Sequence, residues 1–142
     1  MEQRISLITL AVEDLERAAA FYEALGWKQE PSEPGIVAFN LIGQTLGLYS
    51  REELARDMGF APSEIGGFSG ITLAHNLPSK EEVDTLYQRF LDAGGRGIKE
   101  PHDVFWGGYT SYVSDIDGHV WEIAFNPFSP LAPDGAFQWG GA

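Results

Sequence analysis

The sequence predicts an α+β protein made of two tandem βαβββ modules, each consisting of a strand, a helix and three further strands. The tetrapeptide ITLA occurs at 8–11 and again at 71–74. Each copy precedes a segment with helical spacing of apolar residues, which is followed by short apolar runs separated by turn residues. The segments FYEALGW and FLDAGGR then align without a gap at an offset of 69 residues. We interpret the chain as an internal duplication.

The first module is predicted to contain a helix over about residues 14–26. Asp14 is placed to cap its amino terminus, and Gly26 is placed to end it. The apolar side chains of this segment recur at helical spacing: Leu15, Ala18, Ala19, Tyr22 and Leu25. The strands that follow are expected within GIVAFNLIGQTLGLYS.

The second module is predicted to contain a helix over about residues 79–93. Ser79 can cap this helix, with Glu82 completing a capping box, and Gly94 and Gly95 end it. Its apolar stripe consists of Val83, Leu86, Tyr87, Phe90 and Leu91. We assign the six-residue difference in repeat offset to the loop HNLPSK, and expect the later strands within GGYTSYVSDIDGHVWEIAFNP.

The predicted boundaries lie within a single domain that spans residues 1–142. The first module covers 5–50 and the second covers 69–127, and the segment 51–68 between them is expected to be a short helix followed by a Pro/Gly loop. Residues 128–142 are rich in proline and glycine, so we expect an arm that lies over the surface.

The composition fits one compact domain and argues against two classes of partner. The chain has 142 residues, of which 44% are apolar and none is cysteine, so disulfides, thiolate metal sites and a cysteine nucleophile are excluded. Its net charge of −12 argues against binding to nucleic acid or to an anionic membrane. The start of the chain resembles neither a signal peptide nor a membrane span, and we expect a cytoplasmic location.

Two segments resemble the vicinal oxygen chelate superfamily, which includes glyoxalase I, bleomycin-resistance proteins and extradiol dioxygenases. They are LAVEDLERAAAFYEALGW near the start and YVSDIDGHVWEIAFNP near the end, and the resemblance covers nearly all of residues 5–127. The second is similar to the family signature D-P-D-G-(N/H)-x-x-E, with Ile116 where proline is usual. The resemblance implies two curled mixed sheets, each forming half a cup, around a cleft that holds a small-molecule site.

The same resemblance implies four metal-ligand positions, one on the first and one on the last strand of each module. By register these positions hold Leu7, Gly47, Gly70 and Glu122. Only Glu122 can bind a metal, and one carboxylate does not make a divalent-metal site of useful affinity. We therefore expect no metal and no other cofactor. The two glycines are expected to leave room for a bulky ligand.

Strand alternation divides the remaining residues between the helix and the cup. In the first strand of each module, Ile8, Leu10, Val12, Ile71 and Leu73 are expected to face the helix. Thr110 and Tyr112 are expected to turn inward if Val113 faces the core. The predicted ligand-binding residues are Leu7, Thr9, Gly47, Tyr49, Gly70, Thr72, Trp106, Tyr112, Glu122 and Asn126.

The three histidines are weaker candidates. His75 lies an odd number of positions from Gly70, so a regular strand turns it away from the cup, although a bulge at AHN could reverse this. His102 lies in a loop that can reach the cleft in this family. His119 follows DIDG, which we interpret as a β-turn, since the further ligands of a calcium loop are missing.

The leading hypothesis is a metal-free small-molecule-binding protein of the bleomycin-resistance-like type. Glu122 is the best candidate for a catalytic or ligand-binding group, although it can instead be a residual carboxylate hydrogen-bonded to Thr9 or Thr72. One alternative is a metal-dependent glyoxalase-like lyase or isomerase, or a dioxygenase, whose ligands include His75 or His102. Another is an interaction domain with a vestigial cleft, and whether the protein is an enzyme stays open.

We expect a homodimer. The aromatic side chains of the C-terminal arm offer apolar surface that an isolated monomer would have to hide. These side chains are Phe128, Phe137 and Trp139.

Overall fold

The computed structural model describes residues 1–141, which form two compact units that divide between Ser69 and Gly70. The first unit contains β1 (Leu7–Val12), α1 (Leu15–Ala24), β2 (Ile36–Asn40), β3 (Thr45–Ser50), α2 (Arg51–Met58) and a 3₁₀ turn (Pro62–Glu64). The second contains β4 (Thr72–Asn76), α3 (Lys80–Asp92), β5 (Arg96–Asp103), β6 (Tyr109–Ser114) and β7 (Val120–Phe125).

Each unit has one mixed sheet, in which the first strand of the unit lies beside its last strand. In the first sheet the order is β1-β3-β2, with β1 parallel to β3 and β2 antiparallel to it. In the second the order is β4-β7-β6-β5, with β4 parallel to β7 and the other pairs antiparallel. The predicted α+β class is therefore confirmed. The second unit has the full βαβββ order, whereas the strand that should follow α1 is a single bridge between Glu30 and Ala38.

The duplication interpretation is supported because both ITLA copies fall in or beside the first strand of a unit. Each of these strands is at the edge of its own sheet and pairs in parallel with the last strand of the same unit. The predicted helices are present with slightly narrower bounds. Asp14 Oδ1 accepts a hydrogen bond from the Arg17 amide at 3.0 Å, and Ser79 Oγ accepts one from the Glu82 amide at 3.2 Å.

The extra residues of the second module do not lie mainly in the loop HNLPSK, where the sequence predicted them. The helix caps Asp14 and Ser79 are offset by 65 residues, only two more than the ITLA copies. At the other ends, Gly26 and Gly94 share a φ of 108° and are offset by 68 residues. The gapless alignment at 69 is therefore wrong by one residue. Most of the difference is an extra turn of helix, since α3 has 13 residues and α1 has 10.

Each helix packs on one face of its own sheet, as the alternation predicts. Under α1 lie the buried side chains of Leu10, Val12, Val37, Phe39, Leu46 and Leu48. Under α3 lie those of Val113, Trp121 and Ile123, and the rings of Phe90 and Trp121 are 6.1 Å apart. The expectation for Ile71 is wrong: it precedes β4 and is 66% exposed, since the strand begins one residue later.

Among residues 1–141, no helix is both long enough and apolar enough to cross a membrane.

Candidate functional site

The retained carboxylate lies on the face of the second sheet that points away from α3, which we call the distal face. Tyr112 on β6 is directly opposite Glu122 on β7, so both side chains lie on this face. The Tyr112 hydroxyl donates a hydrogen bond to Glu122 Oε2 at 3.0 Å in a partly buried setting. Tyr112, rather than Thr9 or Thr72, is thus the partner of this carboxylate.

The Tyr112 phenol is held in its protonated form. Burial raises its pKa because water no longer stabilises the phenolate, and the nearby Glu122 charge and their hydrogen bond raise it further. The pair therefore consists of a neutral donor and a carboxylate that keeps further lone pairs for other donors.

The register of this pair depends on the DIDG turn between β6 and β7. Asp115 is 3% exposed, and its Oδ1 accepts hydrogen bonds from the amides of Asp117 and His119, both at 2.9 Å. Gly118 has a φ of 89°, which favours glycine. The interpretation of DIDG as a β-turn is confirmed, and the Asp115 carboxylate is a structural group that closes the turn.

Besides a row formed by Thr72, Val120, Ser114 and Arg96, two rows of side chains cross the distal face. The first row is Ala74, Glu122, Tyr112 and Lys99, and the second is Asn76, Ala124, Thr110 and His102. Sequence reasoning placed Thr110 on this face but missed Lys99 and Asn76. It assigned His102 to a loop, because RGIKEPHD has no apolar alternation to indicate a strand.

Thr110 is the one buried residue of the second row that carries an unpartnered hydroxyl. The residue is 8% exposed, and within residues 1–141 its Oγ1 has no hydrogen-bond partner. A buried polar group without a partner costs about 1–3 kcal/mol. Such a group in a native fold calls for an explanation, and a ligand is one.

The predicted residues of the first unit are arranged differently from expectation. Leu7 Cδ1 is 3.3 Å from the place that a Cβ at Gly47 would occupy, so the Leu7 side chain lies over this glycine. The Leu7 side chain thus occupies part of the space that Gly47 was expected to leave for a ligand. Thr9 is exposed and directly opposite Gly47.

Tyr49 is engaged by the helix that follows its strand. Its hydroxyl donates to Asp57 Oδ2 on α2 at 2.9 Å, and this hydrogen bond is the main cause of its raised pKa. Sequence reasoning missed this partner because strand alternation says nothing about a contact with a following helix.

Three further predicted residues lie outside the strand rows. Gly70 has a φ of 85° and precedes β4, so its expected position on a first strand is wrong. Trp106 lies in the β5–β6 turn, with its ring folded over Gly108 and 6.5 Å from that of Phe128. Asn126 Oδ1 accepts a hydrogen bond from the Phe128 amide at 2.9 Å, which begins the C-terminal arm.

The strand pairing explains why Gly70 is displaced. Thr9 is opposite Gly47 in the first sheet, whereas Ala74 is opposite Glu122 in the second. If Gly47 and Glu122 are equivalent, Ala74 corresponds to Thr9, and Thr72 corresponds to Leu7. This shift of two residues preserves the faces, because side chains alternate with a period of two.

Comparison with known proteins agrees with this architecture. A family model described as the Glyoxalase/Bleomycin resistance protein/Dioxygenase superfamily matches residues 4–123. The chain belongs to this superfamily. No curated protein matches the sequence significantly.

Several solved structures are similar to this superfamily member. A glyoxalase-related enzyme from Fulvimarina pelagi is 36% identical with a TM-score of 0.89, covering 98% of this chain and 99% of that chain. A hypothetical protein from S. aureus is 27% identical with a TM-score of 0.77, covering 89% and 95%. A lactoylglutathione lyase from Agrobacterium tumefaciens is 26% identical with a TM-score of 0.65, covering 89% and 96%.

The donor set does not fit the divalent metal that the superfamily implies. Leu7 and Gly47 have no ligating atom, and Thr72, which replaces Gly70 by register, offers only a neutral hydroxyl. Within residues 1–141 no three His, Asp or Glu side chains converge as metal ligands do.

Neither histidine considered as a replacement ligand joins Glu122. His75 is opposite the fully buried Ile123 on the side of α3, and the β4–β7 pairing runs from Thr72 to Asn76 without a bulge. Its predicted orientation is confirmed, and partial desolvation lowers its pKa. His102 lies two strands away from Glu122.

Proposed function

We propose that this protein binds a small organic molecule at the distal face around Glu122 and Tyr112, without a metal or other cofactor, in the manner of bleomycin-resistance-like proteins. The hydrogen bond from the Tyr112 hydroxyl to Glu122 Oε2 carries this proposal. It orients the one carboxylate left at the four family positions, so that its free lone pairs can accept from a hydroxyl, an amine or an ammonium group. Thr72, two residues before Ala74 on the same face of β4, would extend this polar surface.

A second candidate function is a metal-dependent reaction of the glyoxalase type. The 36% identical relative is described as a glyoxalase-related enzyme. It aligns with this chain over nearly its full length. In this chain such a reaction would need metal ligands other than the four family positions. The metal measurement below distinguishes the two functions.

We expect Glu122→Gln to weaken the binding of a small organic ligand about tenfold or more, because a hydrogen bond to a charged group contributes about 1.5–3 kcal/mol. A thermal-shift screen of hydroxyl- and amine-bearing compounds identifies ligands. Calorimetry then measures the affinity of each variant for them. Glu33→Gln, which alters an exposed carboxylate in the other unit, is the matched control and should leave affinity unchanged.

The same two variants test whether the protein binds a metal through Glu122. The protein is purified without chelator, loaded in turn with zinc, nickel, manganese and iron, and its metal content is measured. Near-stoichiometric metal that disappears in Glu122→Gln but persists in Glu33→Gln would refute the metal-free proposal and favour the glyoxalase-type function.

We further propose that the protein is a cytoplasmic homodimer that binds neither nucleic acid nor membranes. Its net charge of −12 and lack of cysteine support the location and the excluded partners. Exposed aromatic side chains support self-association: Phe128 is 65% exposed and Trp139 is 88% exposed.

Light scattering is expected to give a dimer at micromolar concentration, and Trp139→Ala should shift it towards monomer. Its fold should stay intact, and its melting temperature should fall only by what dimer formation adds to the wild type, since a side chain exposed in the single chain adds little to the stability of that chain. A wild-type monomer would contradict this assembly. A point substitution is preferable to deleting 129–142, because Ser129 is buried and accepts a hydrogen bond from the Gly140 amide at 2.9 Å.

A further inference from the structure

Two irregularities in β5 decide which of its side chains reach the distal face. Gly97 is opposite Val113 on the side of α3, and regular pairing from there would set Ile98 opposite Tyr112 and Glu100 opposite Thr110. Register shifts after Gly97 and after Lys99 instead set Lys99 opposite Tyr112 and His102 opposite Thr110. The bulges thus replace an apolar and an acidic side chain with two basic ones.

This exchange is notable in a chain with 9 Lys and Arg against 21 Asp and Glu. The acidic residues next to Lys99 and His102 on β5 interact with other residues. Asp103 is ion-paired with Lys80 at 2.6 Å, and the Glu100 charge acts on Tyr87, whose ring packs against Gly97 on the side of α3. Within residues 1–141 Lys99 forms no ion pair.

Thr110, whose hydroxyl has no partner within residues 1–141, occupies a β6 position next to these two basic residues in the sheet. Thr110 is directly opposite His102, the residue is more than nine-tenths buried, and its hydroxyl oxygen is buried. The His102 Nδ1 is 2.8 Å from the Glu100 carbonyl oxygen, which fixes the ring and leaves Nε2 for another partner. A Thr hydroxyl, an imidazole and a free ammonium group together match the oxygens of an anion.

We propose that Lys99, His102 and Thr110 bind the anionic group, a carboxylate or a phosphate, of the small molecule whose hydrogen-bond donor is held by Glu122. This proposal rests on the proposed function and specifies its ligand class. Lys99 and Glu122 lie two strands apart, about 10 Å between Cα atoms. The ligand is therefore a small organic acid with a hydroxyl or amine at some distance from its acidic group.

The test is a titration of ¹⁵N-labelled protein with inorganic phosphate and, separately, with acetate, followed by amide chemical shifts. We expect shifts at residues 99, 102 and 110, and an affinity lowered about three- to fivefold by Lys99→Gln or His102→Gln. Lys28→Gln removes an exposed lysine of the first unit and should change nothing. Glu122→Gln should leave the binding of these two bare anions intact or strengthen it.

Thr110→Val separates a binding role from a structural one. It removes a hydroxyl for which residues 1–141 offer no partner, so it should raise the melting temperature while weakening phosphate or acetate binding. A lowered melting temperature would mean that the hydroxyl is already satisfied and would overturn its role in the subsite.

Equal anion affinity in the wild type, Lys99→Gln and Lys28→Gln would overturn the anion subsite. If organic ligands still lost affinity in Glu122→Gln, the proposed function would stand without it. Binding of neutral amines or alcohols alone would likewise overturn the anion subsite and leave the proposed function in place.

Discussion

Gly95→Ala is expected to destabilise the second unit by about 3 kcal/mol, the upper end of the cost of overpacking. A Cβ at this position would lie 2.5 Å from the Ser114 carbonyl oxygen and 2.8 Å from that of Phe90. Both are backbone atoms, fixed by β6 and by the end of α3, so neither can move aside cheaply. For a domain of this size the change corresponds to a fall in melting temperature of about 6–12 °C.

Gly97→Ala is the matched control for this prediction. Its Cβ would meet the Tyr87 hydroxyl at 2.4 Å, but that atom is the far end of a side chain that can swing away. We therefore expect a smaller loss, about 1 kcal/mol. Urea unfolding of both variants measures the difference, and equal losses would show that the backbone around Gly95 adjusts after all.

The sequence predicted well those features that local periodicity determines. Side-chain alternation placed His75 on the side of α3 and Tyr112 with Glu122, because β4, β6 and β7 are regularly paired. Helix ends were predicted within about two residues, because Asp14 and Ser79 cap through their own side chains.

Features that depend on pairing between strands could not be predicted in the same way. The bulges that bring Lys99 and His102 to the distal face are set by how β5 pairs with β6. Pro101 argues against a central strand, and it is tolerated because β5 is at the sheet edge. The displacement of Gly70 likewise follows from a two-residue difference in strand register, which no repeat in the sequence records.

Asp115→Ala is expected to cost about 3 kcal/mol, because it leaves two amides near the sheet without their acceptor. The lost hydrogen bonds are those from Asp117 and His119 to the 3% exposed carboxylate. Asp134 makes a similar turn in the C-terminal arm, accepting from the Ala136 amide at 3.0 Å in an exposed position. Asp134→Ala should cost less than about 1 kcal/mol, since water replaces the lost acceptor.

The Asp115 turn also fixes the site. It sets the register that places Tyr112 opposite Glu122, and a slip of one residue would move the carboxylate to the other face of the sheet. Asp115→Asn keeps an acceptor oxygen, so it should retain most of the stability and ligand affinity that Asp115→Ala loses. Calorimetric ligand titration below the melting temperature of each variant measures this. Full affinity in a folded Asp115→Ala protein would show that the turn does not control the register of Glu122.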